Sequence, residues 1–137
     1  MREASRAADG SSLTAVDQSN VILDFVFDEG LLFVSLANIG DTPATDVVVE
    51  LDQCIHTAEG GELGAMELFR KLRFLAPHKE IVAFVDSSAG YFERKEPAQI
   101  TASIRWKDQD GESRSATIHH DLSVYRELPF VPGRPQR

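Results

Sequence analysis

Apolar side chains fall at every second position in run after run of this chain, between about Val21 and Val124. Only an extended strand sends successive side chains to opposite faces, so each run needs hydrogen-bonded neighbours at its edges and a second layer over its apolar face. Val21, Leu23, Phe25 and Phe27 alternate with Ile22, Asp24, Val26 and Asp28, which gives one fully apolar face. Glu29-Gly30 breaks the run, and Leu32, Val34 and Leu36 then mark a second strand. So short a Gly-containing link predicts an antiparallel hairpin. The cluster Asn38-Ile39-Gly40-Asp41-Thr42-Pro43 reads as a turn, and Val47, Val49 and Leu51 follow it as a third strand. Further along, Ile81, Ala83 and Val85 mark one strand, and Ile100, Ala102, Ile104 and Trp106 another. The last places Ala116, Ile118, His120 and Leu122 on one face, joined to its predecessor by Asp108-Gln109-Asp110-Gly111, with Gly111 in the left-handed position of a hairpin loop.

The stretch from Gln53 to Glu67 carries no clear period. GELGAMELFRKL admits a short helix, with Met66, Phe69 and Leu72 recurring at threes. Leu68, Arg70, Leu72 and Phe74 also alternate with Phe69, Lys71, Arg73 and Leu75. The strand reading is favoured for Leu68–Leu75, because Ala76-Pro77-His78-Lys79 supplies a turn into Glu80–Asp86. Asp86–Pro97 reads as a longer connection with a helical turn around Tyr91–Arg94. Seven strands without a convincing long helix predict an all-β fold, an immunoglobulin-like antiparallel β-sandwich in two sheets. The short links join strands one to two, four to five and six to seven. Strands one, two, four and five are therefore expected in one sheet, and three, six and seven in the other. Residues 1–19 read as a flexible leader, 20–128 as the folded domain, and 129–137, with three prolines in nine residues, as a disordered tail.

Composition excludes several classes of function. Fourteen Lys and Arg against 22 Asp and Glu leave a formal charge of −8, and the pI is near 4.9. A binder of phosphate backbones concentrates cations, so a nucleic-acid partner is not expected. Nothing approaches the roughly 20 consecutive apolar residues of a membrane span, and the first 20 residues lack the apolar stretch of a secretion signal. A cytoplasmic chain is the default expectation. Cys54, alone in the sequence, forms no internal disulfide, so cohesion must come from burying about a dozen Val, Leu, Ile and Phe side chains. Charge divides unevenly, with a net of −10 over residues 1–65 and +2 over 66–137. If strands three and six are neighbours, Asp46, Glu50 and Asp52 face the strand bearing Arg105 and Lys107, which suggests register rather than a binding site.

FVSLANIGDTPATDVVVELD, followed by FLAPHKEIVAFVD and ITASIRWKDQDGESRSATIHHDLSVY, resembles bacterial immunoglobulin-like modules of the CARDB type, which are related to cell adhesion. Asn38, Gly40, Pro43, Ala44, Val47 and Val49 match that pattern, as does Ala76-Pro77 before the apolar strand at Ile81. The resemblance covers about Val21–Val124. It implies a β-sandwich that serves as a spacer or protein-interaction module without chemistry of its own. The stretch Gln53–Glu67 departs from the pattern.

Few residues invite a chemical reading. Cys54, His56, His119 and His120 raise the idea of a mixed metal site, but zinc ligands come in compact pairs of other spacing, and adjacent His119 and His120 point to opposite faces of a strand. No signature around Cys54 supports a Cys–His nucleophile, and no G-x-S-x-G elbow occurs. Asp108-Gln109-Asp110-Gly111-Glu112 superficially suggests a calcium loop, yet Ser113 stands where the loop needs Gly and no bidentate Glu follows. Tyr91 and Phe92 fall in a connection, where they form a contact patch for a partner or plug the open end of the sandwich. Pro129, Pro132 and Arg134 match P-x-x-P-x-R, for which a disordered terminus is the simpler reading. No cofactor, metal or catalytic residue is expected. The favoured function is a non-enzymatic module that binds another protein or spaces domains of its own polypeptide. A carbohydrate- or ligand-binding accessory module is the alternative, and a small metal- or thiol-dependent enzyme is the reading the residues favour least.

Overall fold

The alternation becomes seven strands within residues 18–126, which are those the computed structural model describes. These are β1 (Val21–Asp28), β2 (Leu31–Asn38), β3 (Ala44–Leu51), β4 (Leu72–Leu75), β5 (Glu80–Ser87), β6 (Gln99–Lys107) and β7 (Ser113–Asp121). Three short helices lie between or after them: α1 (Glu67–Arg70), α2 (Ser88–Glu93) and α3 (Ser123–Arg126). Every strand pairing is antiparallel, in two sheets ordered β1-β2-β5 and β4-β3-β6-β7. The sheets close on one apolar interior in the manner of a β-sandwich. Leu23, Val34 and Leu36 come to it from one side, and Val47, Ile104 and Trp106 from the other.

The β1–β2 hairpin forms as expected, because Glu29 (φ 53) and Gly30 (φ 83) both take the left-handed conformation that matches the twist of the flanking strands. The expected division into sheets is corrected at β4, which pairs with β3, Ala44 opposite Leu75 and Val47 opposite Leu72. Ala76–Lys79 is a crossing rather than a hairpin. His78 (φ 61) donates its N–H to Asn38 O at 2.7 Å, and Asn38 N–H donates to Lys79 O at 3.0 Å. Those two bonds deliver the chain to the end of β2, so β5 starts in the other sheet. The strand expected over Leu68–Leu75 is also corrected, since it begins only at Leu72. Glu67–Arg70 makes one helical turn that buries Phe69 completely. In continuous strand geometry Phe69 would share a face with Lys71 and Arg73. The helical turn in the β5–β6 connection covers Ser88–Glu93, slightly ahead of its expected place, and Ser87 Oγ caps it by accepting from Gly90 N–H.

Residues 18 and 19, just before the expected boundary at residue 20, bond to the folded body. Gln18 O accepts from Asp41 N–H at 3.0 Å, and buried Ser19 accepts the indole N–H of Trp106 at 2.8 Å. That bond supplies the partner which a buried Trp requires. The remainder of the expected leader, 1–17, and the expected tail, 129–137 with its P-x-x-P-x-R pattern, lie outside the described residues. Asn38 is buried with its side chain fully bonded: Nδ2 donates to Thr42 O and Leu75 O, and Oδ1 accepts from Asn20 and Gly40 N–H. Among the described residues no helix is long and apolar enough to cross a membrane.

Candidate protein-interaction face

Strand period fixes what each sheet shows to solvent. In β1-β2-β5 the inward positions are occupied by Leu23, Phe25, Leu32, Val34 and Leu36, all buried. The register then stacks the outward positions in rows, with Val26 beside Phe33 and Phe33 beside Phe84, and Ser35 beside Val82. Ile22, Val26, Leu31, Phe33, Val82 and Phe84 thus share one outer face. Val82 is 53% and Phe84 49% exposed, and the Phe33 and Phe84 rings meet edge-on at 5.9 Å. Monomeric proteins seldom leave so continuous an apolar surface to water. The outer face of the other sheet is made of different material, including Glu50, Thr101, Ser103, Arg105 and Thr117, with Arg105 3.5 Å from Glu50. The expected facing of β3 and β6 charges is present in that pair, while Asp46 turns to Arg73 at 3.5 Å and Asp52 accepts from Thr101 N–H.

Carboxylates are the charged groups on the apolar face. Asp24 and Glu80 stand on it, and Glu80 Oε2 accepts from Ser35 Oγ at 2.5 Å. A bulge in β5 bounds the face. The register skips Val85, so Phe84 pairs with Phe33 and Asp86 with Leu32. Val85 and Asp86 are consequently both buried, and Asp86 turns inward to bind Arg94 Nη1.

Tyr91 and Phe92 do not form the contact patch considered above. Tyr91 is completely buried, with its hydroxyl donating to Pro97 O at 2.5 Å, and burial, then Glu96, pushes the phenol well above its ordinary range. Phe92 is half-buried, stacked on Phe27 at 6.0 Å with the Arg126 guanidinium over its ring. α2 carries both rings inward, so they close one end of the sandwich. Replacing Tyr91 by Phe should cost about 1 kcal/mol through the lost hydrogen bond, and replacing it by Ala about 3–5 kcal/mol, as read from urea denaturation.

The Cys54–His56 pair is drawn into a polar cluster. Cys54 Sγ lies 3.8 Å from His56 Nε2, and His56 Nδ1 lies 3.5 Å from Glu96 Oε2. Arg94 ties Glu96 to His56 O and to Asp86. The order resembles a nucleophile, a base and an orienting carboxylate, but the electrostatics oppose it. Local desolvation, then Glu62 and Glu96, push the exposed thiol above its ordinary value, whereas a nucleophile needs the thiolate. The strand-seven histidines do not join Cys54: His119 Nδ1 lies 2.9 Å from Thr101 Oγ1, and His120 Nε2 lies 2.9 Å from Leu23 O. Among the described residues no group of three or more His, Cys, Asp or Glu side chains is placed to hold a metal. In the 108–112 loop, Asp108 turns inward to Ser19, Thr42 and Arg114, and Asp110 accepts from Glu112 N–H, so the two carboxylates do not converge on a cation.

The apolar outer face has a signal in the sequence. β1, β2 and β5 carry apolar residues at both parities, and one buried face accounts for only one of the two. No curated protein and no solved structure matches the chain. A family model described as "Domain of unknown function (DUF8453)" matches residues 2–126, and the chain belongs to that family.

Proposed function

We propose that this protein is a non-enzymatic module of immunoglobulin-like architecture that binds another protein through the outer face of the β1-β2-β5 sheet. The apolar surface formed by Val26, Phe33, Val82 and Phe84 carries this reading, because covering it releases ordered water at about 25 cal/mol per Å². The order β1-β2-β5 facing β4-β3-β6-β7 differs from the four-plus-three division of constant-type immunoglobulin domains only in the side on which β4 pairs. The resemblance to CARDB-type modules points the same way. The acidic groups on the face favour a protein partner over nucleic acid.

Placing a photo-crosslinking residue at Phe84 should trap a discrete partner in the native cells, while the same residue at Thr117 on the polar sheet should not. Equal trapping from both positions, or none from either, removes the proposal. A second reading, an accessory module for a small anionic ligand, is favoured by one observation. A cleft of roughly 480 Å³ lies beside α1 and the irregular turn of β3, bordered by Arg70, Lys71 and Arg73 as well as Asp46 and Glu67. Ligand-dependent NMR shifts confined to that border would favour it.

A further inference from the structure

We infer that β5 accepts an extended segment of a partner protein as the fourth strand of the β1-β2-β5 sheet, and that this segment is apolar at alternate positions and carries Lys or Arg. The inference rests on the proposed binding face and names how it is used.

The argument begins with backbone direction. Asn38 N–H donates to Lys79 O, and Asn38 O accepts from His78 N–H, so the peptide groups of Asn38 point toward β5. Strand alternation turns those of Leu36 and Val34 the same way, to meet their partners Ile81 and Ala83. The peptide groups of Glu80, Val82 and Phe84 must then point away from β2, at the open edge. They meet no backbone partner among the described residues. The edge closes only beyond them, where Ala58 N–H donates to Val85 O at 2.8 Å.

Proteins protect exposed edges with charge, proline, brevity or a covering group. The other edge strands show such devices. β4 has four residues and carries Arg73. β7 carries Arg114, His119 and Asp121. On β1, Leu23 O lies against His120 Nε2. β5 instead has only Glu80 at its start and the inward Asp86 near its end, with neither a charge nor a proline in Ile81-Val82-Ala83-Phe84-Val85 between them. Its open edge is continuous with the apolar face, because Val82 and Phe84 supply both the outward peptide groups and the exposed side chains. Main-chain bonds along such an edge give affinity, and the flanking side chains give selectivity.

Charge selects the occupant. Among the described residues, Asp24 and Glu80 stand on the outer face without a Lys or Arg beside them, and the chain carries −8. An acidic segment, or a second copy of this chain, would add like charge. The Ala58 bond confines the added strand to Glu80–Phe84, whichever chain supplies it, so charge is what separates the two occupants.

The full chain can be titrated with two synthetic peptides of about ten residues, one alternating Val with Lys and one Val with Glu. The Val/Lys peptide should bind at least tenfold more tightly. It should slow amide exchange at Val82 and Phe84, while Ile81 and Ala83, already bonded to β2, change little. Val82→Pro removes an outward N–H that the protein's own ladder does not use, so it should fold and bind at least tenfold more weakly, whereas Val82→Ala should lose less. Undiminished binding by Val82→Pro, with binding lost in Phe84→Ser, overturns strand addition and leaves the face reading intact. Binding unaffected by either variant, or absent altogether, also overturns strand addition, and the photo-crosslinks then decide the face reading separately. A concentration-dependent dimer that Val82→Pro abolishes assigns the edge to a second copy and overturns the partner. Exchange protection in the unsubstituted chain keeps the test decisive even if Val82→Pro fails to fold.

Discussion

Gly40→Ala should destabilise the protein by about 3 kcal/mol, seen as a lower urea midpoint with an unchanged slope. A Cβ at position 40 would lie 2.1 Å from Gln18 O, 2.7 Å from Ser19 Cα and 2.8 Å from Asn20 N. All three are backbone atoms, so no side-chain rotation relieves the clash. The strand of chain they belong to is also fixed, since Asp41 N–H donates to Gln18 O and Ile39 N–H to Asn20 O. Relief therefore means lifting residues 18–20 off the β2–β3 turn. That movement would strand the Trp106 indole N–H and remove a donor from Asp108, both of which Ser19 serves. Gly64→Ala is the control, because nothing lies within 4 Å of its added Cβ and no loss of stability is expected. Equal effects at the two positions would mean that the close approach at Gly40 is not what holds the turn.

The two glycines illustrate what the sequence could and could not convey. That Asn38–Pro43 turns was legible from composition, but that the turn is clamped by residues 18–20 was not, because Ser19 and Asn20 look like any polar leader. Period made the buried positions of β1, β2, β3 and β6 legible, since each needs only local alternation. Long-range pairing was not, and β4 shows why. Ala76-Pro77-His78-Lys79 has the composition of a hairpin turn, while the direction in which it sends the chain depends on two bonds to Asn38, some 40 residues earlier. Phe69 fails for a related reason: its neighbours fit strand and helix alike, and burial decides between them. The apolar outer face was half legible. Apolar outward residues were visible in three separate segments, but only the 1-2-5 strand order places them side by side. The β5 bulge, which withdraws Asp86 from that face, left no trace in the alternation.

Removing the carboxylate of Asp108 should cost about 3 kcal/mol at neutral pH, and the loss should shrink as the solution is acidified. Asp108 is 5% exposed. Its Oδ1 accepts from Ser19 Oγ and Thr42 Oγ1 at 3.0 Å and from Gln109 N–H at 2.9 Å, and its Oδ2 accepts from Arg114 Nε at 3.0 Å. These donors come from the residues before β1, the β2–β3 turn, the β6–β7 loop and β7, so one side chain joins four parts of the chain. Burial alone would raise its pKa, but the bonds from Gln109, Ser19, Arg114 and Thr42 outweigh that and hold it at about 2, against an ordinary 3.8. With the folded value below the unfolded one, the stabilisation is complete above about pH 4 and is lost as the pH falls through 2. Asp108→Ala leaves these buried donors unmatched at every pH, whereas Asp108→Asn keeps an acceptor but no charge. The gap in urea midpoint between the unsubstituted chain and Asp108→Asn should therefore be widest near pH 7 and narrow between pH 4 and 2. A gap that stays constant across that interval would assign the loss to shape and packing, and would remove the charge of Asp108 as the tie between the two sheets.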